Sequence, residues 1–460
     1  MIIYLGMATL FLSCKRELNA LPTQAKVEGN VIIDQKSAEV ALNGAYLRFA
    51  EGGNDSGTPS VRWAQNHEIR GSWLAGYMAY PYGKSTFDEN FSITANDIGV
   101  GEMWAGSYMQ INAANGVIEQ VGYLDDTQFS GKRKAEIVAE ARILRAYGHQ
   151  HLLRYFTQFY DQNSPYGLLI RKNFVTTNNI SLSRSSVKES YEFILSDLDA
   201  GIADAPLKSE NHYTNKWVAK ALKARVLMIR GGSGDYQQVI NLTKDIIENS
   251  PYRLEVNLKD IFSTKGLSST EVMLGIIPKV NQMAKSDVYV FYGEANYSAS
   301  QSLRDLISSD PRSAWIVGDL SGTIGITKYL GGKVEVSYPL RLTEMYLLQA
   351  EAIVRSGGDI KDARSLLKIV QQHAGLTNFA AADAATTPET MLGEIYNETV
   401  KNLCFEDGQE WSALLRFPLA TVLSIRPTIM DKNHYILPIP SAEFDKNPII
   451  GPQNPGYSKN

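Results

Sequence analysis

Two groups of side chains in this sequence have types and spacing that could do chemistry. The first is acidic. In CFEDGQEWSALLRF, Glu406, Asp407 and Glu410 fall in or beside a helical stretch that continues through Trp411 to Arg416. Two carboxyl groups flanking a sugar suffice for glycoside hydrolysis, so Glu406 and Glu410 are the candidate acid pair. The same spacing equally describes a solvated, ion-paired helix face. The second group is aromatic. SVRWAQNHEIRGSWLAGYMAYPYGKSTF (60–87) carries Trp63, Trp73, Tyr77, Tyr80, Tyr82 and Phe87 in a Gly- and Pro-containing context with no strand or helix period. Flat rings stack on sugar faces, and Arg62, Gln65, Asn66 and Arg70 could bridge hydroxyls. Tyr289, Tyr292, Tyr297 and Trp315 form a second aromatic set further on. The candidate ligand-binding residues are therefore Trp63, Arg70, Trp73, Tyr77, Tyr80, Tyr82, Tyr292 and Trp315. For each ring, packing against the scaffold is the competing role.

Other chemistries find little support. Neither GxGxxG nor GxxxxGK[ST] occurs in a strand-to-helix context, and no G-x-S-x-G elbow is present. His149 and His151 are two apart on a helix and face different ways, and there is no CxxC, so neither a transition-metal site nor a cofactor is expected. Calcium bound by loop oxygens leaves no spacing rule and stays open. A net charge of −4 argues against nucleic acid, which favours a basic stripe.

The chain has two cysteines in 460 residues. Cys404 lies in apolar NLCF and reads as a packing residue. Cys14 closes MIIYLGMATLFLSC and is followed by Lys15, Arg16 and Glu17. The apolar run is too short to span a bilayer but suits a signal-peptide core. That order fits a bacterial lipoprotein signal, cut before a cysteine that then carries lipid. Two features depart from the pattern: no basic residue precedes Ile2, and Phe11 sits where Leu is commoner.

The elements that must position these residues are mostly helical. Apolar recurrence every three or four positions predicts helices over 36–50, 103–121, 131–156, 187–203, 215–230, 235–249, 339–356, 359–373 and 388–416. In the first of these, Val40, Ala41, Ala45 and Tyr46 are expected near one face. Ser186 with Glu189 forms a capping box, and Gly148 lets a neighbouring helix approach 131–156. Residues 51–100 read as loop, and 252–337 as an excursion of loops and short strands (271–277, 288–292). Two helix pairs, 221–251 and 346–375, share a turn: Gly234-Asp235 in one, Gly358-Asp359 in the other. A left-handed Gly ends the first helix, Asp caps the second, and Val239 or Ala363 docks it back. This is tetratricopeptide-like logic, with the copies too far apart for a tandem array. The tail 435–457 holds five of the 17 prolines, which predicts a non-helical strap over the helices. Arg341, Glu344 and Glu351 share one face of 339–356 and read as ion-pair partners between helices.

In this order the segments CKRELNALPT, AEVALNGAY, MWAGSYMQINAANGVIE, AEARILRAYGHQHLLRYF, RLTEMYLLQAEA and the LPIP…NP…QNPGY tail resemble the SusD/RagB family over nearly the whole chain. The family pattern EG-x-R-W-x-D-L-x-R departs here, with Glu410 and Ala413 in place of its Arg and Asp. The resemblance implies a mainly α fold: a scaffold of four tetratricopeptide-like pairs bearing an irregular ligand face. It implies a non-catalytic, lipid-anchored protein on the outer membrane, facing the cell exterior, that binds glycan or peptide oligomers. It also implies a SusC-like TonB-dependent transporter as partner. On this reading residues 1–13 are the signal peptide, 14–30 a flexible leash, 31–251 the N-terminal half, 252–337 the excursion and 338–460 the C-terminal half. A secreted glycoside hydrolase and a protein-binding repeat adaptor are the alternatives.

Overall fold

The computed structural model describes residues 32–52, 58–88 and 90–459, so the leader, Cys14 and the leash lie outside the described residues. Helix α1 (Gln35–Ala50) starts at Asp34, whose carboxylate accepts the Ser37 N–H in a capping box. Its buried stripe is Ala38, Leu42, Ala45, Tyr46 and Phe49. Val40, expected on that face, is exposed instead.

The stretch read as loop from 51 to 100 is helical in its middle. Helix α2 (Pro59–Trp63), a π-helical turn (Ala64–Ile69) and α3 (Arg70–Leu74) run on without leaving helical backbone angles. Its polar residues Ser60, Asn66, His67, Glu68 and Ser72 are as buried as its apolar ones. A helix enclosed on nearly every side shows no amphipathic period, so its sequence carries no helical signal. Strand β1 (Met78–Ala79) follows.

Helices α4 (Ile98–Gly122), α5 (Arg133–Phe156), α6 (Val187–Asp204), α7 (Lys216–Arg230) and α8 (Asp235–Asn249) then pack each against the next. A Cβ at Gly148 on α5 would lie 2.8 Å from Ile111 Cγ1 on α4, so glycine there sets the α4–α5 separation, as expected. Ser186 and Glu189 cap α6 reciprocally, also as expected.

Beyond α8 the backbone forms β2 (Val272–Ile276), α9 (Ser286–Tyr289), β3 (Val290–Phe291), β4 (Glu294–Ala295), β5 (Ser298–Ala299), α10 (Gln301–Ile307), α11 (Ser313–Ile316), β6 (Val317–Leu320), β7 (Thr323–Ile326) and β8 (Ser337–Arg341). One sheet has the order β1-β5-β7-β6, with Met78 opposite Ala299. The aromatic stretch of the N-terminal half is thus stitched to the excursion. Strand β8 pairs with β2 and occupies the start of the segment expected to be wholly helical.

The scaffold resumes with α12 (Leu342–Arg355), α13 (Ile360–His373), α14 (Ala380–Ala384), α15 (Pro388–Leu403), α16 (Gln409–Leu414) and α17 (Leu419–Ile425). The helix expected over 388–416 is two, because Phe405 and Gly408 take left-handed backbone angles between them. The two shared turns differ in detail from expectation. Gly231 and Gly234 are left-handed in the first and Gly357 in the second. Asp359 caps α13, whereas Asp235 is the first residue of α8 and accepts Arg230 Nη2 at 2.6 Å. Val239 and Ala363 are both fully buried. The tail is a strap, tied by Leu437 N to Tyr155 O at 2.6 Å and by Asn454 Nδ2 to Phe156 O at 3.0 Å. It nevertheless contains a short helix, α18 (Ser441–Lys446), entered from Pro440 and closed before Pro448. Proline at a helix start costs no intrahelical hydrogen bond.

Charge as well as apolar surface fills the centre. Arg225 on α7 holds Glu344 on α12 at 2.5 Å and Asp407 at 2.9 Å. Arg341 holds Glu406 at 2.7 Å and Glu271 at 2.5 Å. Arg312 joins Asp310 at 2.7 Å to Glu398 at 2.6 Å. Glu351 takes Arg416 at 2.5 Å and Arg355 at 2.7 Å. All three of Arg341, Glu344 and Glu351 are thus interior ion-pair partners, but only Glu344 and Glu351 lie on α12; Arg341 ends strand β8 and pairs with Glu271 and Glu406 outside the helices.

Candidate functional site

The π-helical turn and α3 set the site. Gln65 and Arg70 reach outward from them, while His67 and Glu68 are buried. Trp73 is anchored by its indole N–H, which donates to Asp88 Oδ1 at 2.5 Å. The Tyr297 ring meets it edge-on, with centroids 5.4 Å apart, and Phe87 lies 5.9 Å away. Arg70 donates to Asn66 Oδ1 and, at 2.5 Å, to Glu102 Oε2 on α4. Asp97 accepts Thr86 Oγ1 at 2.8 Å and Thr94 N at 2.6 Å. These groups surround an open cleft of about 470 Å³ that includes Gln65, Arg70, Trp73, Asp97, Glu102 and Tyr297. An adjoining hollow of about 290 Å³ shares Gln65, Ile98 and Glu102 and adds Arg62 and Met109.

Further rings continue outward. Tyr80 and Tyr82 meet edge-to-face at 5.7 Å, and the Tyr82 hydroxyl donates to Glu294 Oε2 at 3.0 Å. Glu294 belongs to the β3–β4 hairpin, whose Phe291 and Tyr292 rings lie 4.3 Å apart. Tyr292 is 92% exposed, Tyr82 60% and Tyr80 42%.

The expected site residues are thus distributed unevenly. Arg70 and Trp73 line the cleft, and Tyr80, Tyr82 and Tyr292 are exposed rings. Trp63 is 0% exposed and stacks on His67 with centroids 3.7 Å apart. Tyr77 is buried, its hydroxyl 2.8 Å from that of Tyr396. Trp315 is half-buried, 5.5 Å from Phe262. Glu102, Asp97 and Tyr297 join the cleft beside the expected Arg70 and Trp73. Tyr297 had a signal in the second aromatic set. Nothing in the spacing links Arg70 to a glutamate 32 positions away.

The acid pair faces inward. Glu406 accepts Lys328 Nζ at 2.7 Å in addition to Arg341, and Glu410 is 0% exposed. Burial would raise Glu406, but Arg341 and Lys328 hold it below its ordinary value. Burial pushes Glu410 up to about 7, its only side-chain partner among the described residues being Ser72 Oγ. Neither carboxylate lines the cleft. Glu410 occupies the position where the family pattern has Arg, and Arg416 pairs instead with α12.

One buried set has metal-like composition. Ligand atoms of His67, His151 and Asp407 lie within 4.8 Å of one another. Asp407, however, already accepts Tyr147 Oη at 2.6 Å and Arg225 Nη1 at 2.9 Å, with Arg154 Nη2 at 3.6 Å. Two guanidiniums against one carboxylate oppose a cation there. A hollow of about 640 Å³ between residues 170–185 and α6 is larger than the cleft. Phe193 is the one aromatic residue among its lining residues, and the Arg145 guanidinium lies 5.0 Å from that ring's centroid.

Comparison with known proteins decides the family. Residues 63–228 match a family profile described as starch-binding and associating with the outer membrane, and residues 331–424 match the SusD family profile. The chain belongs to the SusD/RagB family. A SusD-like protein of Bacteroides ovatus is 27% identical over 214 residues, 45% of this chain and 38% of that protein. The match thus spans well under half the length of that relative. SusD-like protein P2 of Formosa agariphila is 23% identical over 432 residues, 80% of this chain and 83% of that one. Among solved structures, a SusD superfamily protein of Bacteroides thetaiotaomicron superposes with a TM-score of 0.75 at 22% identity, covering 92% of this chain and 100% of that one. B. fragilis NanU gives 0.75 at 17% identity, covering 95% and 100%. These superpositions establish the SusD fold. No helix among the described residues is long and apolar enough to cross a membrane.

Proposed function

We propose that this protein captures glycan oligomers in the Arg70–Trp73–Tyr297 cleft and along the Tyr80, Tyr82 and Tyr292 rings. It then hands them to a SusC-like TonB-dependent transporter. The observation that carries the reading is the cleft itself. The half-buried Tyr297 ring lies beside the fixed hydrogen-bonding groups of Arg70, Glu102 and Gln65, and Trp73, itself only 8% exposed, also lines the cleft. The family's description as starch-binding and outer-membrane-associated supports it. In this reading Trp63, Tyr77 and Trp315 serve packing, and the protein has no catalytic role. A lipid on Cys14 tethers it to the outer membrane, facing the cell exterior. Tethering makes recapture by the transporter effectively intramolecular, so modest site affinity suffices.

Affinity electrophoresis in gels containing a panel of soluble polysaccharides tests the binding. At least one polysaccharide should retard the protein, and Trp73→Ala should abolish the retardation while the circular dichroism stays unchanged. If Trp73→Ala migrates like the parent in every gel, the cleft is not the site. Palmitate labelling, lost in Cys14→Ala, and co-purification of a large outer-membrane β-barrel test the tether and the partner.

A further inference from the structure

The hollow between residues 170–185 and α6 gathers three cations that no acid answers. Its lining includes Arg171, Lys172 and Arg184, and among the described residues none of the three forms an ion pair. Arg171 donates to the main-chain oxygens of Asn179, at 2.7 Å, and of Ile180. Arg184 donates to Gly167 O at 2.9 Å, Asn454 Oδ1 at 2.8 Å and Phe156 O at 3.2 Å. These neutral partners fix both guanidiniums and leave their charge uncompensated. Burial lowers Arg184 to about 10, with only Tyr108 and Tyr166 acting against it. The Lys172 ammonium makes no hydrogen bond among the described residues and stands 5.9 Å from the Phe193 centroid.

The acids around the hollow are already engaged. Glu189 closes the α6 cap, accepting Ser186 N and Ser186 Oγ at 2.8 Å each. Glu192 lies 3.9 Å from Lys188, which is no part of the lining. Arg145, over Phe193, is matched by Asp197, which accepts two of its N–H groups at 2.7 Å each. The wall that carries the cations is fixed from behind. Asn115 Nδ2 donates to Arg171 O at 3.0 Å and to Asn173 O at 2.9 Å, and Arg145 Nη1 donates to Lys172 O at 2.9 Å. Three consecutive carbonyls are thereby clipped to α4 and α5. Asn173, Ser183 and Ser185 also line the hollow, and their side chains make no hydrogen bond among the described residues.

An oxyanion with several charged oxygens matches this arrangement, with charged donors from Arg171, Lys172 and Arg184 and neutral ones from the amide and hydroxyls. A volume of about 640 Å³ is that of a small-molecule site and far exceeds what a bare ion fills. The free polar side chains and the Phe193 ring suit the hydroxyls and apolar face of a sugar. We propose that this hollow is a second binding site, for a sugar bearing a sulfate or phosphate ester, with Lys172 as the free charge that grips the ester. It shares no lining residue with the Arg70–Trp73–Tyr297 cleft or its neighbour and does not depend on what that cleft binds.

Calorimetric titration of the full chain, in a buffer free of sulfate and phosphate, tests it. The probes are glucose 6-sulfate, glucose 6-phosphate, a heparin tetrasaccharide, glucose and sodium sulfate. At least one ester should bind about tenfold or more tighter than both glucose and sodium sulfate. That affinity should fall about threefold or more from low to high salt. Lys172→Gln should weaken it about fivefold or more with the circular dichroism unchanged, because that ammonium holds nothing in the fold. Lys208→Gln removes an equal charge from an exposed position outside the hollow and should leave the affinity within about twofold. The proposal is overturned if no ester binds, if sodium sulfate binds as tightly as the esters, or if Lys172→Gln binds like the parent. Equal losses in Lys172→Gln and Lys208→Gln would reduce the effect to net charge and overturn it too. So would capture by phosphatidic acid vesicles without any response to the soluble esters.

Discussion

Lys285 Nζ lies 3.2 Å from Glu68 Oε1, and neither side chain has any exposure to solvent. The lysine comes from the start of α9 in the excursion, the glutamate from the π-helical turn beneath the cleft. Tyr289 Oη adds a hydrogen bond to Glu68 Oε2 at 2.7 Å, and Lys285 also donates to Val336 O at 2.7 Å. The contact joins the two segments that supply the cleft's rings. Burial lowers Lys285 to about 8 against the pull of Glu68, and burial raises Glu68 against the pull of Lys285.

Removing one partner strands the other. Lys285→Met should destabilise the protein by about 3 kcal/mol or more, because Glu68 is left buried without its cation. Lys285→Met combined with Glu68→Gln should recover most of that loss. Urea unfolding of the two variants measures the difference. A double variant no more stable than the single one would show that the pair is not the source of the effect.

Glu410 makes stability depend on pH. Its carboxyl is raised from 4.5 to about 7 by burial. A raised carboxyl contributes stability that is full below the unfolded value and is lost as pH climbs through the folded value. The parent protein should therefore lose stability between about pH 4.5 and pH 7 through this group, by an amount on the order of a few kcal/mol. Glu410→Gln should flatten that segment of the profile and be the more stable form at pH 8. Chemical unfolding at half-unit pH steps reads both slopes. Equal slopes in parent and variant would assign the dependence elsewhere.

The two tryptophans separate packing from binding. Trp63 is enclosed and stacked on His67, so Trp63→Ala should cost about 3–5 kcal/mol of stability. Trp73 is itself only 8% exposed, so Trp73→Ala should also cost stability, on the order of a few kcal/mol, but should in addition remove glycan retention, which Trp63→Ala should spare. Thermal melts and affinity electrophoresis on the same preparations give the two readouts. Similar profiles for the two variants would contradict the division.

The hairpin rings are predicted to act at a distance from the cleft. Tyr292 is nearly fully exposed and Tyr82 is tied to the same hairpin through Glu294. Tyr292→Ala should leave the unfolding midpoint unchanged. It should weaken long oligosaccharides more than short ones, because Tyr292 is not among the cleft's lining residues. Comparing affinities across a series of chain lengths checks this; a uniform loss would place Tyr292 outside the ligand path.

Much of the scaffold was legible residue by residue. The Ser186–Glu189 cap, the Gly148 close approach and the docking of Val239 and Ala363 all depend on positions within a few residues of one another or on a helical stripe. The misread parts share a physical cause. Residues 59–74 hide their helix because polar and apolar side chains are buried alike. The break at Phe405–Gly408 and the strand at Ser337–Arg341 arise from pairing with distant segments. Asp235 was expected to cap α8 but turns back to Arg230, a choice between two local partners that the sequence leaves open.

Helical period, caps and turn glycines act over a turn or two of backbone, so the order of the residues alone determined the helix pairs and the proline-rich strap. The cleft obeys no such local rule. Arg70 finds Glu102 across a helix crossing, Trp73 finds Tyr297 only because β1 pairs with β5, and Tyr82 meets a glutamate 212 positions away. Whether an aromatic ring lines that cleft or fills the core depends on which distant segment packs over it, and packing is settled only when the whole chain has closed.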